Sequence, residues 1–166
     1  MSNVGVPEWS FSWREIVSSG LLVTQILLTF FTYNNLGYDN IANAGWGVMT
    51  FSAIFGWLPI LTLKSKGNVP KGKSYTQTTA LVDTGIYSII RHPQYFAGVL
   101  MSIALALISQ YWIVAILVLP VSITIYLDSL REDKRLIEKF GEDYVEYMGR
   151  VPGFNIFIAL LRKIIR

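Results

Sequence analysis

The sequence has no cysteine and only one histidine, His92. The absence of cysteine excludes disulfide bonds, thiolate catalysis and metal sites with cysteine ligands. Protein zinc sites are built from several histidine, cysteine or carboxylate ligands, so a single histidine also argues against a histidine-based zinc site. We therefore expect neither a metal ion nor a reactive thiol in the chemistry of this protein.

Charged residues are also scarce, at 15% of the chain, while apolar residues make up 52%. Soluble domains usually contain about 25% charged residues. The apolar residues fall in four blocks, each close to the roughly 17–25 residues that a membrane-spanning helix needs. The blocks are 16–33, 44–63, 94–109 and 111–127. The sequence therefore predicts an all-α, polytopic membrane protein with four transmembrane helices and a single domain over residues 1–166.

The segments around these blocks complete the predicted fold. The third and fourth blocks are separated only by Gln110 and its neighbours, which predicts a tight helical hairpin. Beyond the fourth block, from Asp128, the pattern becomes that of a separate amphipathic cytoplasmic helix, which ends at Pro152. The chain ends are expected at the membrane surface, as an aromatic lead-in over 1–15 and a basic amphipathic tail over 154–166.

The basic residues are unevenly distributed. All fourteen Lys and Arg residues lie near the N-terminus, between 64 and 91, or after 128, and the connections at 34–44 and near 110 have none. Because basic loops stay on the cytoplasmic side, we expect both termini there. The net charge of +3 then indicates contact with the membrane surface, and we expect no nucleic-acid partner. The lysine-rich segment 64–80 is a solvated connector or a lid near anionic headgroups.

Residues 85–98 contain the only histidine, directly before the third apolar block. Pro93 fits the first turn of a helix, so Arg91 and His92 lie just outside its N-terminus, where N–H groups and the helix dipole attract anions. The stretch therefore indicates a binding site for an anion at the membrane edge. The simpler alternative makes His92 an N-cap, the tyrosines interfacial aromatics, and the glycines elements of a turn and a helix contact.

Two carboxylates lie on the apolar face of the helix that follows the hairpin. Counting back in steps of four from Phe140 and Ile137 reaches Glu132 and Asp133. A carboxylate on such a face needs a partner. Arg91 or the amino group of a ligand would supply it, and the alternative is a structural ion pair. The sequence thus predicts a basic and an acidic half-site, both on the cytoplasmic side.

These two half-sites are where the chain resembles a known group of membrane enzymes, the isoprenylcysteine carboxyl methyltransferase and phospholipid methyltransferase superfamily. The resemblance covers residues 81–154. The chain departs from the usual pattern in three ways. Ile86 stands where proline is common, Asp133 stands where a second glutamate is usual, and the closing proline often found a few residues after Val-Pro-x-Phe is absent. The matching residues are Leu81, Val82, Thr84, Gly85, Tyr87, Arg91, His92, Pro93, Tyr95, Gly98, Glu132, Asp133, Leu136, Phe140, Gly141, Tyr144, Tyr147, Val151, Pro152 and Phe154.

The resemblance implies that S-adenosylmethionine binds at the cytoplasmic edge and donates a methyl group. His92 and nearby backbone N–H groups would hold its carboxylate, and Glu132 with Asp133 would take its ammonium group. Arg91 would position the substrate nucleophile or pair with Glu132, which makes Arg91 and Glu132 the catalytic residues. The cofactor-binding residues are then Gly85, Tyr87, His92, Pro93, Tyr95, Gly98, Glu132 and Asp133, with residues 81–154 as the binding core.

The implied methyl acceptor is lipophilic and reaches the site from the membrane. A prenylcysteine-like carboxylate, a lipid amine and a small lipophilic molecule all remain open. One alternative is an NADPH-dependent sterol-type reductase, because those enzymes share Arg-His-Pro-x-Tyr. They usually carry a cysteine and Lys-Tyr-Gly where this chain has Lys139-Phe140-Gly141. The other alternative is a non-catalytic membrane scaffold or lipid-binding protein.

Overall fold

The computed structural model describes residues 13–154, so the predicted lead-in before Trp13 and the tail after Phe154 lie outside the described residues. Within 13–154 the chain is helical and has no strand. It forms α1 (Trp13–Phe31), α2 (Asp39–Lys66), a 3-10 turn (Gly85–Ser88), α3 (Pro93–Ser109), α4 (Trp112–Phe140) and α5 (Glu142–Arg150). The predicted all-α class is confirmed for this part of the chain.

One predicted boundary is wrong. The change of composition at Asp128 suggested that a separate amphipathic helix starts there, but α4 runs without interruption from Trp112 to Phe140. The residues after Asp128 are rich in Leu, Arg, Lys and Glu, which are good helix formers, so the gain in polarity does not end the helix. The helix ends instead at Gly141, whose φ of 61° suits glycine.

Two of the helices, α2 and α4, are long and apolar enough to cross a membrane. Only 11% of the most apolar stretch of α2 and 28% of that of α4 is buried, unlike the core helix of a soluble protein. Side chains such as Phe51, Trp57 and Leu119 are more than half exposed. Apolar surface of this extent marks a membrane contact. The apolar helical segments 16–31 and 93–109 are shorter.

Helix α3 lies at the centre and packs against α1, α2 and α4. The contact with α2 is close because small residues face it. A Cβ atom at Gly45 would lie 2.7 Å from Ile108 Cγ1 and 2.9 Å from the Ile108 backbone nitrogen. Ser52 Oγ donates a hydrogen bond to the Ala97 carbonyl at 2.8 Å. Small residues and interhelical hydrogen bonds of this kind are typical of packing between membrane helices.

A buried polar cluster joins α1 to α3 and α4. The Gln25 side chain is fully buried, and its Nε2 donates to the Val114 carbonyl at 3.0 Å. Ser102 Oγ donates to Gln25 Oε1 at 2.8 Å. Each polar group is thereby satisfied, which is required where no water is available. The cluster fixes the register of α1 on the other helices.

The two ends of the helical bundle differ in charge. At one end the α1–α2 connection contacts the α3–α4 connection, with Asn34 N donating to Ile108 O at 2.9 Å and Gln110 Nε2 donating to Asn34 Oδ1 at 2.7 Å. The connections at this end contain no basic residue. Lys64 and Lys66, in the last turn of α2, lie at the opposite end. The first turn of α3 lies at that same basic end.

The α2–α3 contact can be tested with a pair of glycines. Replacing Gly45 by alanine is expected to destabilise the protein by about 1–3 kcal/mol, because the new Cβ overlaps Ile108. A Cβ atom at Gly47 would meet no other atom within 4 Å, so Gly47→Ala should be neutral or raise stability by about 0.5–1 kcal/mol through helix propensity. Thermal unfolding in detergent measures both. Equal shifts would contradict the close packing at Gly45.

Candidate functional site

The segment before α3 positions the residues of the Arg-His-Pro motif by backbone geometry. Gly85 has a φ of 65° and opens the 3-10 turn, a conformation that favours glycine. Pro93 is the first residue of α3, as the sequence predicts. His92 occupies the N-cap position, as in the simpler alternative, but its side chain makes no capping hydrogen bond. The result is a chain reversal that presents Arg91 and His92 at the entrance of the central helix.

Asp133 of α4 is the centre of the charged cluster. Its Oδ1 accepts hydrogen bonds from Arg91 Nη1 at 2.9 Å, His92 Nε2 at 2.8 Å and Tyr144 Oη at 2.6 Å. His92 is 4% exposed and Asp133 is 7% exposed. Hydrogen bonds to an ionised carboxylate are among the strongest in proteins. This cluster therefore locks the start of α3 to α4 and α5.

The segment Val151–Phe154, which we call the C-terminal strap, holds the same motif from the other side. Arg91 N donates to Pro152 O at 3.0 Å, and His92 N donates to Gly153 O at 3.3 Å. The Phe154 ring lies 6.0 Å from the His92 ring, centroid to centroid. These two backbone N–H groups are thus occupied by the strap. The next N–H groups along the chain belong to the first turn of α3, where no intrahelical acceptor precedes them.

Three tyrosines, Tyr87, Tyr144 and Tyr147, surround the cluster. Tyr147 Oη donates to the Tyr87 carbonyl at 2.6 Å, and Tyr144 Oη donates to Asp133. Burial raises the pKa of Tyr87 and Tyr147. Burial, followed by the hydrogen bond to Asp133, raises the pKa of Tyr144. All three therefore keep their protons at physiological pH, and the hydroxyls of Tyr144 and Tyr147 act as donors.

A cavity of about 110 Å³ opens beside this cluster, within about 680 Å³ of empty space that includes solvent at its mouth. The apolar part of the wall comes from the ends of α2 and α4, at Leu63, Leu136 and Phe140. The sequence-predicted residues in the wall are Tyr87, Arg91, His92, Pro93, Tyr95 and Glu132. The structure thus brings six of the nine predicted site residues around one cavity.

The two neighbouring carboxylates have different surroundings. Glu132 lines the cavity and pairs with Arg135, with 2.6 Å between Arg135 Nη2 and Glu132 Oε2. The Arg135 side chain is 62% exposed, so this pair can exchange with water or a ligand. Arg91 pairs with Asp133 and not with Glu132. The suggested Arg91–Glu132 pair is therefore wrong, because the shorter Asp133 side chain points inward between Arg91 and His92.

Gly85 and Gly98 are not among the residues of the cavity wall. A Cβ atom at Gly98 would lie 3.0 Å from Ile125 Cδ1, so this glycine permits the approach of α3 to α4. A Cβ at Gly85 would lie 3.4 Å from Thr62 Cγ2, and its positive φ defines the turn. Both residues shape the site through the backbone, and a contact with a cofactor remains a prediction for them.

The sequence did not single out the polar residues that close the cavity on the loop side. Gln94 Nε2 donates to Tyr75 Oη at 3.1 Å and approaches the Gly56 carbonyl at 3.5 Å. Thr76 and Thr78 of the same loop also line the cavity. The sequence did offer a signal for Gln94, because this residue is the polar member of Arg-His-Pro-x-Tyr at the start of an apolar helix. The loop residues had no such signal, because their contacts follow no periodic pattern.

One hydrogen-bond donor at the cavity has no acceptor among the described residues. Arg91 Nε is buried and has no hydrogen-bond partner within residues 13–154. Buried donors without acceptors are rare, and at a cavity they point to a ligand that brings the acceptor. Across 13–154, no group of three or more Asp, Glu or His side chains is arranged to hold a metal ion. At the cavity, Arg91 Nε offers a donor and the Glu132 carboxylate offers an anionic acceptor.

The fold and the site together define a class: an all-helical membrane protein with a charged ligand cavity at the end of its helices. The chain belongs to the phospholipid methyltransferase family, whose model matches residues 41–143. The match runs from α2 through the motif at Arg91 to the first residues of α5, so it includes both half-sites. A search of curated proteins finds no matching relative. Family membership and the two apolar helices indicate a membrane methyltransferase.

Proposed function

We propose that this protein transfers the methyl group of S-adenosylmethionine to a lipophilic acceptor at the membrane surface. The observation that carries the proposal is the cavity beside Asp133, which has the carboxylate of Glu132 on one wall and the N-terminus of α3 on another. S-adenosylmethionine has an ammonium and a carboxylate on the same carbon, so a site with both signs of charge suits it. The phospholipid methyltransferase family supports this choice over the reductase and scaffold alternatives.

We assign the ammonium group of the cofactor to Glu132, which would exchange its exposed partner Arg135 for it. The carboxylate is assigned to the first turn of α3, where N–H groups and the helix dipole attract anions. Arg91 Nε, which has no other acceptor within residues 13–154, would donate to the same carboxylate. The cofactor contacts His92 through its ring in this proposal, because His92 Nε2 is held by Asp133. Tyr87, Pro93 and Tyr95 form the remaining walls.

When bound, the cofactor supplies a methyl group on a positively charged sulfur. The protein contributes alignment and the exclusion of water, which are the main sources of rate for such a displacement. Leu136 and Phe140 make one side of the cavity apolar. Arg91 is placed to orient the acceptor, and Glu132 to hold the donor, which is why both are proposed as catalytic residues.

The proposed topology has four spans in one domain, with both termini and the site in the cytoplasm. The basic residues at the α3 entrance and the lack of basic residues in the opposite connections support this orientation through the positive-inside rule. The cofactor would enter from the cytosol. The acceptor would enter from the bilayer along the ends of α2 and α4, whose apolar residues line the cavity.

Titration of the detergent-purified protein with cofactors tests the proposal. We expect saturable binding of S-adenosylmethionine and of its demethylated product, and no binding of NADPH. Binding of NADPH alone would support the reductase, and binding of neither would leave the scaffold. A radiolabelled methyl-transfer screen over lipid extracts and prenylcysteine analogues then identifies the acceptor.

A further inference from the structure

Residues 64–80 comprise the last turn of α2 and most of the connection to the 3-10 turn, and we call them the lysine loop. This segment has four lysines and no acidic residue, and the nearest acidic residues along the chain are Asp39 and Asp83. All four lysines are exposed: Lys64, Lys66, Lys71 and Lys73. The lysine loop is therefore a surface of one charge sign at the end of a helix that is long enough to cross a membrane.

Hydrogen bonds close the lysine loop at its base. The backbone N–H groups of Thr79 and Ala80 donate to the Gly67 carbonyl at 2.9 and 3.2 Å, and Thr79 Oγ1 donates to the Asn68 carbonyl at 2.8 Å. A Cβ atom at Gly67 would lie 2.6 Å from the Leu63 carbonyl oxygen, so this tight base has room only for glycine. The base ties the lysine loop to the end of α2 and keeps its lysines near the membrane surface.

The lysine loop also forms part of the cavity wall. Tyr75 Oη accepts a hydrogen bond from Gln94 Nε2, in the first turn of α3, at 3.1 Å. Thr76 and Thr78 line the cavity, and Thr78 is only 7% exposed. One arrangement of the loop therefore exposes the lysines and closes one side of the cavity at the same time.

The position of the lysines favours a lipid surface over a soluble partner. Lys64 and Lys66 are in the last turn of the apolar helix α2, which is where a membrane-spanning helix reaches the headgroups. Lys66 Nζ donates to the neutral Thr84 hydroxyl at 3.1 Å. Within residues 13–154 none of the four lysines forms an ion pair. Four unneutralised lysines directly beside such a helix are the composition that attracts anionic lipids.

We propose that the lysine loop binds the headgroups of anionic phospholipids and that this contact strengthens cofactor binding in the cavity. Each lysine near an anionic membrane surface strengthens the attraction about fivefold. Headgroups that bind the loop in its closed arrangement favour that arrangement, which also lines the cavity. By linkage, the cofactor and the anionic lipid then strengthen the binding of each other. The coupling rests on the proposed function, whereas the headgroup contact does not.

Chemical labelling of lysines tests the headgroup contact without any cofactor. The full chain is placed in nanodiscs of phosphatidylcholine, with or without about 30 mol% phosphatidylglycerol, and an amine-acylating reagent is added. We expect Lys71 and Lys73 to react at least about threefold more slowly in the anionic discs, because headgroups cover their amino groups. The exposed Lys134 on α4 is the internal control and should change less. Salt at about 0.5 M should remove most of the difference.

Cofactor titration in the same discs tests the coupling. The dissociation constant of S-adenosylmethionine should be about fivefold lower in the anionic discs for the wild type. The double variant Lys71→Gln with Lys73→Gln should lose this gain. A matched double variant, Arg131→Gln with Lys134→Gln, removes two exposed positive charges from α4 and should keep it.

The variant Tyr75→Phe separates the headgroup contact from its effect on the cavity. It keeps all four lysines but removes the hydroxyl that accepts from Gln94. We expect the slow labelling of Lys71 and Lys73 in anionic discs to remain, and most of the gain in cofactor affinity to be lost. A purely structural role of Tyr75 would lower the affinity equally in both kinds of disc, and that result would contradict the coupling.

The remaining outcomes have distinct meanings. Equal labelling of Lys71 and Lys73 in the two bilayers overturns the headgroup contact, as does equal protection by inorganic phosphate in phosphatidylcholine discs. An equal dissociation constant in the two bilayers overturns the coupling, and so does a gain that the loop double variant keeps. If S-adenosylmethionine binds the wild type in neither bilayer, the proposed function is overturned, while the labelling result still decides the headgroup contact.

Discussion

Replacement of Asp133 by asparagine is expected to lower the free energy of unfolding by about 3 kcal/mol or more. The substitution keeps the shape of the side chain but removes its charge, and Arg91 is left buried with an 11% exposed side chain and no anionic partner. Breaking a buried ion pair from one side usually costs about 3–5 kcal/mol. His92 and Tyr144 also lose a charged acceptor. Thermal or denaturant unfolding in detergent measures the loss.

The neighbouring residue supplies the control. Glu132→Gln removes the same charge one position earlier, but within residues 13–154 Glu132 pairs only with the exposed Arg135. Such pairs contribute about 0–1 kcal/mol, so this variant should unfold within about 1 kcal/mol of the wild type. If the two variants were equally stable, Asp133 would not be the centre of the charged cluster.

The second large effect is expected in cofactor affinity. Here Glu132→Gln, which barely changes stability, should have the larger effect of the two carboxylate variants. Glu132→Gln should weaken S-adenosylmethionine binding by about 10- to 100-fold, because a hydrogen bond between two charged groups contributes about 1.5–3 kcal/mol. Arg135 is then left without its partner, but its exposure makes that loss small. Isothermal titration of the detergent-solubilised protein measures the change.

Tyr144→Phe is the comparison for this prediction. Tyr144 also lines the cavity, but its hydroxyl is directed to Asp133 at 2.6 Å. Its removal should cost about 1–2 kcal/mol of stability and weaken cofactor binding less than Glu132→Ala does. Equal and small effects of both variants on binding would show that the ammonium group is not held by Glu132.

The helices were largely predictable from the sequence because their causes are local. Hydrophobic blocks located α1, α2, α3 and the start of α4 to within a few residues, and Pro93 marked the first residue of α3. The end of α4 was not predictable from polarity, since a helix crosses from an apolar to a polar environment without a break when its residues are good helix formers. Gly141, and not Asp128, carried the stop signal.

The sequence predicted the two half-sites of the candidate site, but not which carboxylate pairs with Arg91. Helical periodicity placed Glu132 and Asp133 on the apolar face, and only the packing of α3 and α5 against α4 decides which one turns to Arg91. The contact of Gln94 with Tyr75 depends in the same way on how the 67–80 loop folds back. Pairings of this kind join residues far apart in the sequence, and no periodic pattern encodes them.

The strap has a consequence for how the protein is made. Arg91 and His92 leave the ribosome before α3, α4 and α5, yet their backbone N–H groups are satisfied by the carbonyls of Pro152 and Gly153. During translation, the apolar helices can enter the membrane while this motif still lacks its final partners. The motif gains these partners when the Val151–Phe154 segment leaves the ribosome. The Arg91–His92 motif therefore acquires its backbone partners late in synthesis, and we expect a nascent chain stalled before Pro152 to lack them.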